Sequence, residues 1–357
     1  MEHLTHGGDI YSLPGPEKIL DFSVNVNPMG IHPDIKQAVI DCIGDCVRYP
    51  DPLCRELVSG IASWEAVPEK NILCGNGADD IIFRLVQYIK PRRALIQAPA
   101  FSEYERALRT VGCQIEYARL SEEHDFVTSE DILESIHPEL DLMFVCNPNN
   151  PTGLPVCPDL MKRILDRCVQ CDVLLFADEC FIEFMDEPDK HTLKPYLKDN
   201  KNLFLLKSFT KLFAIPGLRL GYGIATEELI NGVRQSGQEW SVSIPAQSAG
   251  LAALSLAEHG YLEKTGALIR DQREWLGRQL ARFGLFVYDS AANYIFVKTR
   301  EKNLKEYLIT KNILIRCCGN YQGLSNEYYR FAVLDAASNQ RLVQVLEEAL
   351  AKKEIDL

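Results

Sequence analysis

"NLFLLKSFTKLFAIPGLRLGYGIA" (202–225) reads as two apolar bursts of strand length joined by a turn. The bursts, 202–208 and 218–225, are continuous runs of the kind that strands covered on both faces present. Between them stand Ser208, Thr210, Lys211, a Pro-Gly pair and Arg219. Two hydroxyls and two cations in an apolar run admit two explanations. One is a strand end with a few solvated residues. The other is a site that holds a phosphate and offers Lys211 for a covalent bond, since burial and a nearby cation help a lysine lose its proton.

Working outward, "RALIQAP" (93–99), "DLMFVCNP" (141–148) and "DVLLFAD" (172–178) are further strand-length bursts. Between two of them, Leu160, Ile164, Leu165 and Cys168 form one helical stripe. This rhythm, from about residue 70 to 225, predicts a doubly wound α/β domain with a mostly parallel sheet. After about residue 240 the pattern changes to a long helical stretch (245–283). Three candidate strands follow at 292–299, 312–318 and 328–334, then an amphipathic helix near 339–352. The expected organisation is an N-terminal segment (1–45) joined to a small domain, a large α/β domain (46–240), and a connecting helix with a small α+β domain (241–357).

The chain has 357 residues, 46% hydrophobic and 25% charged, which suits a globular protein with a substantial core. A net charge of −12 argues against nucleic acid as a partner, which needs a basic face. No stretch approaches the roughly 20 apolar residues of a membrane span. The start, MEHLTHGGDIYSLPG, lacks the basic-then-apolar pattern of an export leader. Twelve cysteines then read as reduced thiols of a cytoplasmic protein. Cys168 and Cys171 form a C-x-x-C with no second half, so no metal site is expected.

In an open parallel sheet, ligands bind at the carboxyl ends of the strands. The unusual residues cluster there. "CGNGADD" (74–80) follows a strand and opens a helix, so it is either a plain turn or a phosphate cradle of free N–H groups. "NPNNPTG" (147–153) is a turn with an extra asparagine. "FADECFIEF" (176–184) ends a very apolar strand in Asp178 and Glu179, and a carboxylate there is costly unless it meets a cation. A cradle, a lysine, a carboxylate for a pyridinium nitrogen and an asparagine for a ring oxygen together describe a pyridoxal-phosphate site.

On "NPNNPTG", "DE(C)F" and "SFTKLFAIPGLRLGYG" the chain resembles the fold-type I pyridoxal-phosphate enzymes of the aspartate aminotransferase superfamily. The resemblance implies pyridoxal 5′-phosphate bound through Lys211, with Asp178 on the ring nitrogen, Asn150 on the ring oxygen and Phe101 on the ring face. It implies Gly77, Ala78 and Asp79 on the phosphate loop and Ser208, Thr210 and Arg219 as phosphate ligands. Tyr49 would reach the phosphate of a neighbouring subunit, hence a homodimer with shared sites. Phe181 stands where many aminotransferases have a tyrosine, so one hydroxyl on the ring oxygen is missing.

A closer resemblance runs through "THGGDI", "DFSVNVNPMG" (21–30), "RYPDP", "WSVS" and "ILIRCCGNYQGLSNEYYRFAV" (313–333). These are similar to the threonine-phosphate decarboxylases of cobalamin synthesis, relatives of the histidinol-phosphate aminotransferases. The implied substrate is a phosphorylated amino acid, threonine phosphate with serine phosphate as a variant, and the alternative is histidinol-phosphate aminotransfer. Phenylalanine at 181 fits this relative. His6, Asn27, Arg316, Tyr321 and Arg330 are the candidates for holding the substrate, with Arg330 on its α-carboxylate.

Overall fold

The computed structural model describes residues 6–355 and Leu357. The first five positions of the expected segment 1–45, Thr5 of "THGGDI" among them, lie outside the described residues.

The chain starts with β1 (Leu20–Asp21), α1 (Pro33–Asp41) and α2 (Arg55–Glu65). It continues with β2 (Ile72–Gly75), α3 (Ala78–Ile89), β3 (Arg93–Ala98), α4 (Ser102–Thr110), β4 (Gln114–Arg119), β5 (Leu142–Cys146), α5 (Pro158–Gln170), β6 (Leu174–Asp178) and α6 (Pro188–His191). Next come β7 (Leu203–Ser208), α7 (Phe209–Leu212), β8 (Gly221–Ile224), α8 (Glu227–Gln235), α9 (Ile244–Ala257) and α10 (Tyr261–Arg282). The last part holds β9 (Phe286–Val287), β10 (Tyr294–Lys298), α11 (Leu304–Ile309), β11 (Ile313–Leu314), β12 (Arg316–Cys317), β13 (Tyr328–Ala332) and α12 (Ala336–Ala351).

The central sheet has the order β2-β8-β7-β6-β5-β3-β4. β4, β3, β5, β6 and β7 are mutually parallel, and β8 runs antiparallel to both β7 and β2. Every residue of β5 and β6 is buried, as their unbroken apolar sequences require. Register places Cys146 opposite Asp178 and Asp178 opposite Leu206, so three strands finish almost level. That levelness is what gathers their carboxyl-end residues into one place.

Three features depart from the expectation. β4 is an edge strand with partly exposed polar residues, and a search for continuous apolar runs passes over it. The helical stretch 245–283 is two helices, because Gly260 adopts a left-handed φ of +77° that a side chain would resist. The run 312–318 is two strands with different partners: β11 pairs with β1, and β12 joins the small sheet β12-β13-β10-β9.

Apolar side chains gather into two main cores, one on the central sheet and one on the small sheet. The N-terminal segment divides between them, Phe22 in the second and Ile35 in the first. α10 also bridges them, with Ile269 in the first and Leu276 and Leu280 in the second.

Candidate active site

The level ends of β5, β6 and β7 face β12 and β13 across a cleft. At one end of it α3 begins directly after Gly77, whose φ is +84°. A Cβ there would lie 2.3 Å from Nη2 of Arg219, so glycine is what lets that guanidinium rest on the turn. Asp79 holds the same guanidinium at 3.1 Å. Ser208 caps α7, its Oγ accepting from the Thr210 N–H at 3.2 Å. Ala78, Asp79, Ser208, Thr210 and Arg219 all face the cleft. A helix start, two hydroxyls and a cation make a cup for a phosphate.

Lys211 lies beside this cup, part-buried. Desolvation, and then the charge of Arg330, push its amine below the usual lysine range. Asp178 forms the floor. Its Oδ2 accepts from the Tyr104 hydroxyl at 2.5 Å and its Oδ1 from the Cys180 N–H at 3.0 Å. Burial still pushes this carboxyl up, because those hydrogen bonds do not replace its lost water. Phe101, just ahead of α4, forms part of the wall, and Phe181 sits edge-on to Tyr294 at 5.2 Å. Asn150 is 7% exposed, and its Oδ1 accepts from Nη1 of Arg330.

The opposite wall carries Arg316 and Arg330, which are register partners on β12 and β13. Arg330 also donates to the Ser23 carbonyl at 2.7 Å and lies 5.3 Å over the Tyr294 ring. Its Nε is buried without a partner among the described residues. Arg316 donates to the Cys317 carbonyl and to Oδ1 of Asn320, both at 2.7 Å, and covers the Tyr321 ring at 5.0 Å. His6 reaches the cleft mouth, 2.6 Å from Oε1 of Glu103.

Two expected residues are elsewhere. Asn27 does not reach the cleft. Its Nδ2 lies within hydrogen-bond distance of Leu212 O (2.7 Å), Tyr261 Oη (3.1 Å) and Thr265 Oγ1 (3.1 Å), and its Oδ1 accepts from the Met29 N–H at 3.0 Å. Its backbone N–H donates to the Lys211 carbonyl at 3.0 Å, so it braces the lysine from behind. Tyr49 is 77% exposed and packs on Trp240 at 4.9 Å, away from the cleft of its own chain.

Four residues that sequence reasoning passed over do face or support the cleft. Asn25 lines it with a buried Oδ1 that has no partner among the described residues. Two asparagines two positions apart cannot be told apart by sequence alone. Tyr104, Glu103 and Arg106 come from α4. Tyr104 lies in the first turn of α4, its ring 5.8 Å from that of Phe101 just ahead of the helix.

The fold and this site define a fold-type I pyridoxal-phosphate enzyme. The aminotransferase class I and II family profile matches residues 17–346, and the chain belongs to that family. It is 39% identical over 355 residues to a threonine-phosphate decarboxylase of Salmonella typhimurium, covering 97% of this chain and 96% of the relative. A solved histidinol-phosphate aminotransferase of Clostridium acetobutylicum is similar with a TM-score of 0.86 at 26% identity, covering 93% and 99%. The solved L-threonine-O-3-phosphate decarboxylase of Porphyromonas gingivalis has a TM-score of 0.81 at 26% identity, covering 92% and 99%. Pyridoxal 5′-phosphate is the cofactor of this family, and the residues here fit it. The glycine cradle suits its phosphate, the depressed amine of Lys211 its aldehyde, and the underserved carboxylate of Asp178 its ring nitrogen.

Proposed function

We propose that this enzyme decarboxylates L-threonine O-3-phosphate to (R)-1-amino-2-propanol O-phosphate for cobalamin side-chain synthesis, and accepts serine phosphate as well. The observation that carries this reading is a second set of side chains able to hold an anion. Arg219 belongs to the cup, while Arg316, Arg330 and His6 stand apart from it around the same cleft. A substrate with both a carboxylate and a phosphate needs such a pair of anion holders. The identity to the Salmonella relative over nearly the whole chain supports the choice of substrate.

When bound, the cofactor supplies an electron sink for the pair left on Cα. The chain's own residues choose the bond. Arg330 holds the α-carboxylate, and Arg316 with His6 holds the phosphate. Fixing both ends would present the Cα–carboxylate bond, in place of Cα–H, for breaking. Asp178 would hold a proton on the ring nitrogen of the bound cofactor. Lys211 returns a proton to Cα after CO2 leaves, a role that suits an amine pushed below its ordinary range. Serine phosphate lacks one methyl, and a pocket discriminates that by only about 1–3 kcal/mol.

The enzyme acts as a homodimer in which Tyr49 reaches the partner's cofactor phosphate. Met29, Ile31, Ile40, Ile43, Val47, Tyr49, Leu53 and Trp240 are all exposed, a concentration of apolar surface that favours a second copy. The working compartment is the cytoplasm, in keeping with twelve free cysteines. No helix of the described residues is long and apolar enough to cross a membrane, and the charge of −12 does not favour nucleic acid.

The test supplies threonine phosphate, serine phosphate or histidinol phosphate, each with and without 2-oxoglutarate, and follows CO2 and glutamate. CO2 from threonine phosphate without an oxo acid is the expected result. Rapid glutamate formation from histidinol phosphate, with no CO2 from threonine phosphate, would replace this reading with an aminotransferase.

A further inference from the structure

Two aromatic residues meet at the site, Phe101 just ahead of α4 and Tyr104 in its first turn, their ring centroids 5.8 Å apart. Tyr104 has no exposed surface. Its ring stacks on Phe144 at 4.8 Å and stands edge-on to Phe176 at 6.4 Å. A hydroxyl sealed in such an apolar wall needs a partner, and it has one oxygen of Asp178 at 2.5 Å. The other oxygen of Asp178 takes the Cys180 N–H.

We propose that Tyr104 is a positioning residue for Asp178, its hydroxyl keeping that carboxylate ionised and aimed so that the ring-nitrogen proton of the cofactor stays on nitrogen. The inference rests on the cofactor reading and does not depend on which phosphorylated amine is the substrate. A hydrogen bond donated to a carboxylate weakens the pull of that carboxylate on a further proton. Tyr104 keeps its own proton, because burial and the charge of Asp178 push the phenol far above its usual range.

The other groups around Asp178 do not substitute for it. Asp79, from α3, repels Asp178 and is paired to Arg219. The thiols of Cys146 and Cys180 are pushed up by burial and by Asp178 itself, so both stay neutral. The Tyr294 hydroxyl, from β10, donates to the Asn149 carbonyl at 2.8 Å. The Cys180 thiol and backbone N–H help Asp178, but both belong to the same turn and cannot brace it from across the cleft.

The experiment uses Tyr104→Phe holoenzyme, which keeps the ring and its stacking. The visible absorbance of the Lys211-bound cofactor is titrated with pH. A positive ring nitrogen lowers the proton affinity of the nitrogen on Lys211, so weakening it moves the transition upward by about one pH unit. The dissociation constant for pyridoxal phosphate rises about three- to tenfold, and kcat falls about tenfold with KM held within about twofold. Replacing Tyr104 by 3-fluorotyrosine, a stronger donor of nearly the same volume, moves the transition downward. That variant carries the test alone if Tyr104→Phe does not fold. An unshifted transition in the folded variants, or a shift of both in one direction, overturns the proposal. Wild-type protein that forms no visible band with pyridoxal phosphate would instead break the cofactor reading beneath it.

Discussion

Asp178 and Glu179 stand side by side at the end of β6, one facing the cleft and the other buried behind it. Burial pushes both carboxyls above their usual range, and what separates them is that Glu179 has a lysine beside it within the protein. Lys207 lies 3.4 Å away, and the Thr192 hydroxyl and Leu193 N–H donate at 2.7 and 2.8 Å. Lys207 in turn meets Glu183 at 2.7 Å and Glu65 at 4.0 Å, and Glu65 is shared with Lys194 at 3.0 Å and the Tyr222 hydroxyl at 2.5 Å. Desolvation opposes the charge of Lys207, but the three carboxylates outweigh it and raise the amine above its usual range. Asp178 has hydrogen bonds but no lysine or arginine within ion-pair reach among the described residues. The contrast separates two uses of buried charge. A completed cluster serves as scaffold, and an incomplete one marks the side where a ligand belongs.

The comparison can be broken in order of effect. Lys211→Ala should remove the visible cofactor band and lower CO2 release by about four orders of magnitude, since no other lysine lines the cleft among the described residues. Lys207→Met should destabilise the fold by about 3–5 kcal/mol in urea titrations, because among the described residues it takes the only ion-pairing cation from the buried Glu179 and the part-buried Glu183 and one of two from the buried Glu65.

Asp178→Asn should do the opposite to stability while lowering kcat by about a hundredfold. Asp178 has a folded pKa raised above its usual 3.8, so it favours folding when protonated and weakens it as pH rises through that raised value. The cofactor-free variant should therefore gain about 1 kcal/mol at pH 7, and the gain should vanish as pH falls toward 3.8. Urea titrations at pH 4 and pH 7 check the sign. A loss at pH 7 would mean that the hydrogen bonds to Asp178 outweigh its desolvation. Asn27→Ala should have the smallest effect, costing about 1–2 kcal/mol of stability with little change in KM. A large rise in KM would restore Asn27 as a substrate ligand.

The parts of the fold legible in sequence are those where both faces are buried. β5, β6 and β7 lie within the apolar bursts that announce them. β4 is half-exposed and polar, so its pairing depends on β3 and leaves little local trace. The cofactor cup was legible because glycine, hydroxyl, lysine and arginine sit at strand ends in two short stretches. The choice between Asn25 and Asn27 was not, because it turns on which side chain Tyr261 and Thr265 intercept. The Lys207 cluster was equally hidden, since Glu65 and Lys207 come from distant segments.

The Arg330 guanidinium donates to the Ser23 carbonyl, a partner 307 positions earlier in the chain. Asn27 likewise clasps the backbone of Lys211. Both links cross most of the polypeptide, so loop closure delays them relative to the nearest-neighbour pairings of the central sheet. The cup residues, 77–79 and 208–219, all precede Arg330 in the chain, so the cup is synthesised before this link can exist. The link between Ser23 and Arg330 forms only once β13 has been synthesised.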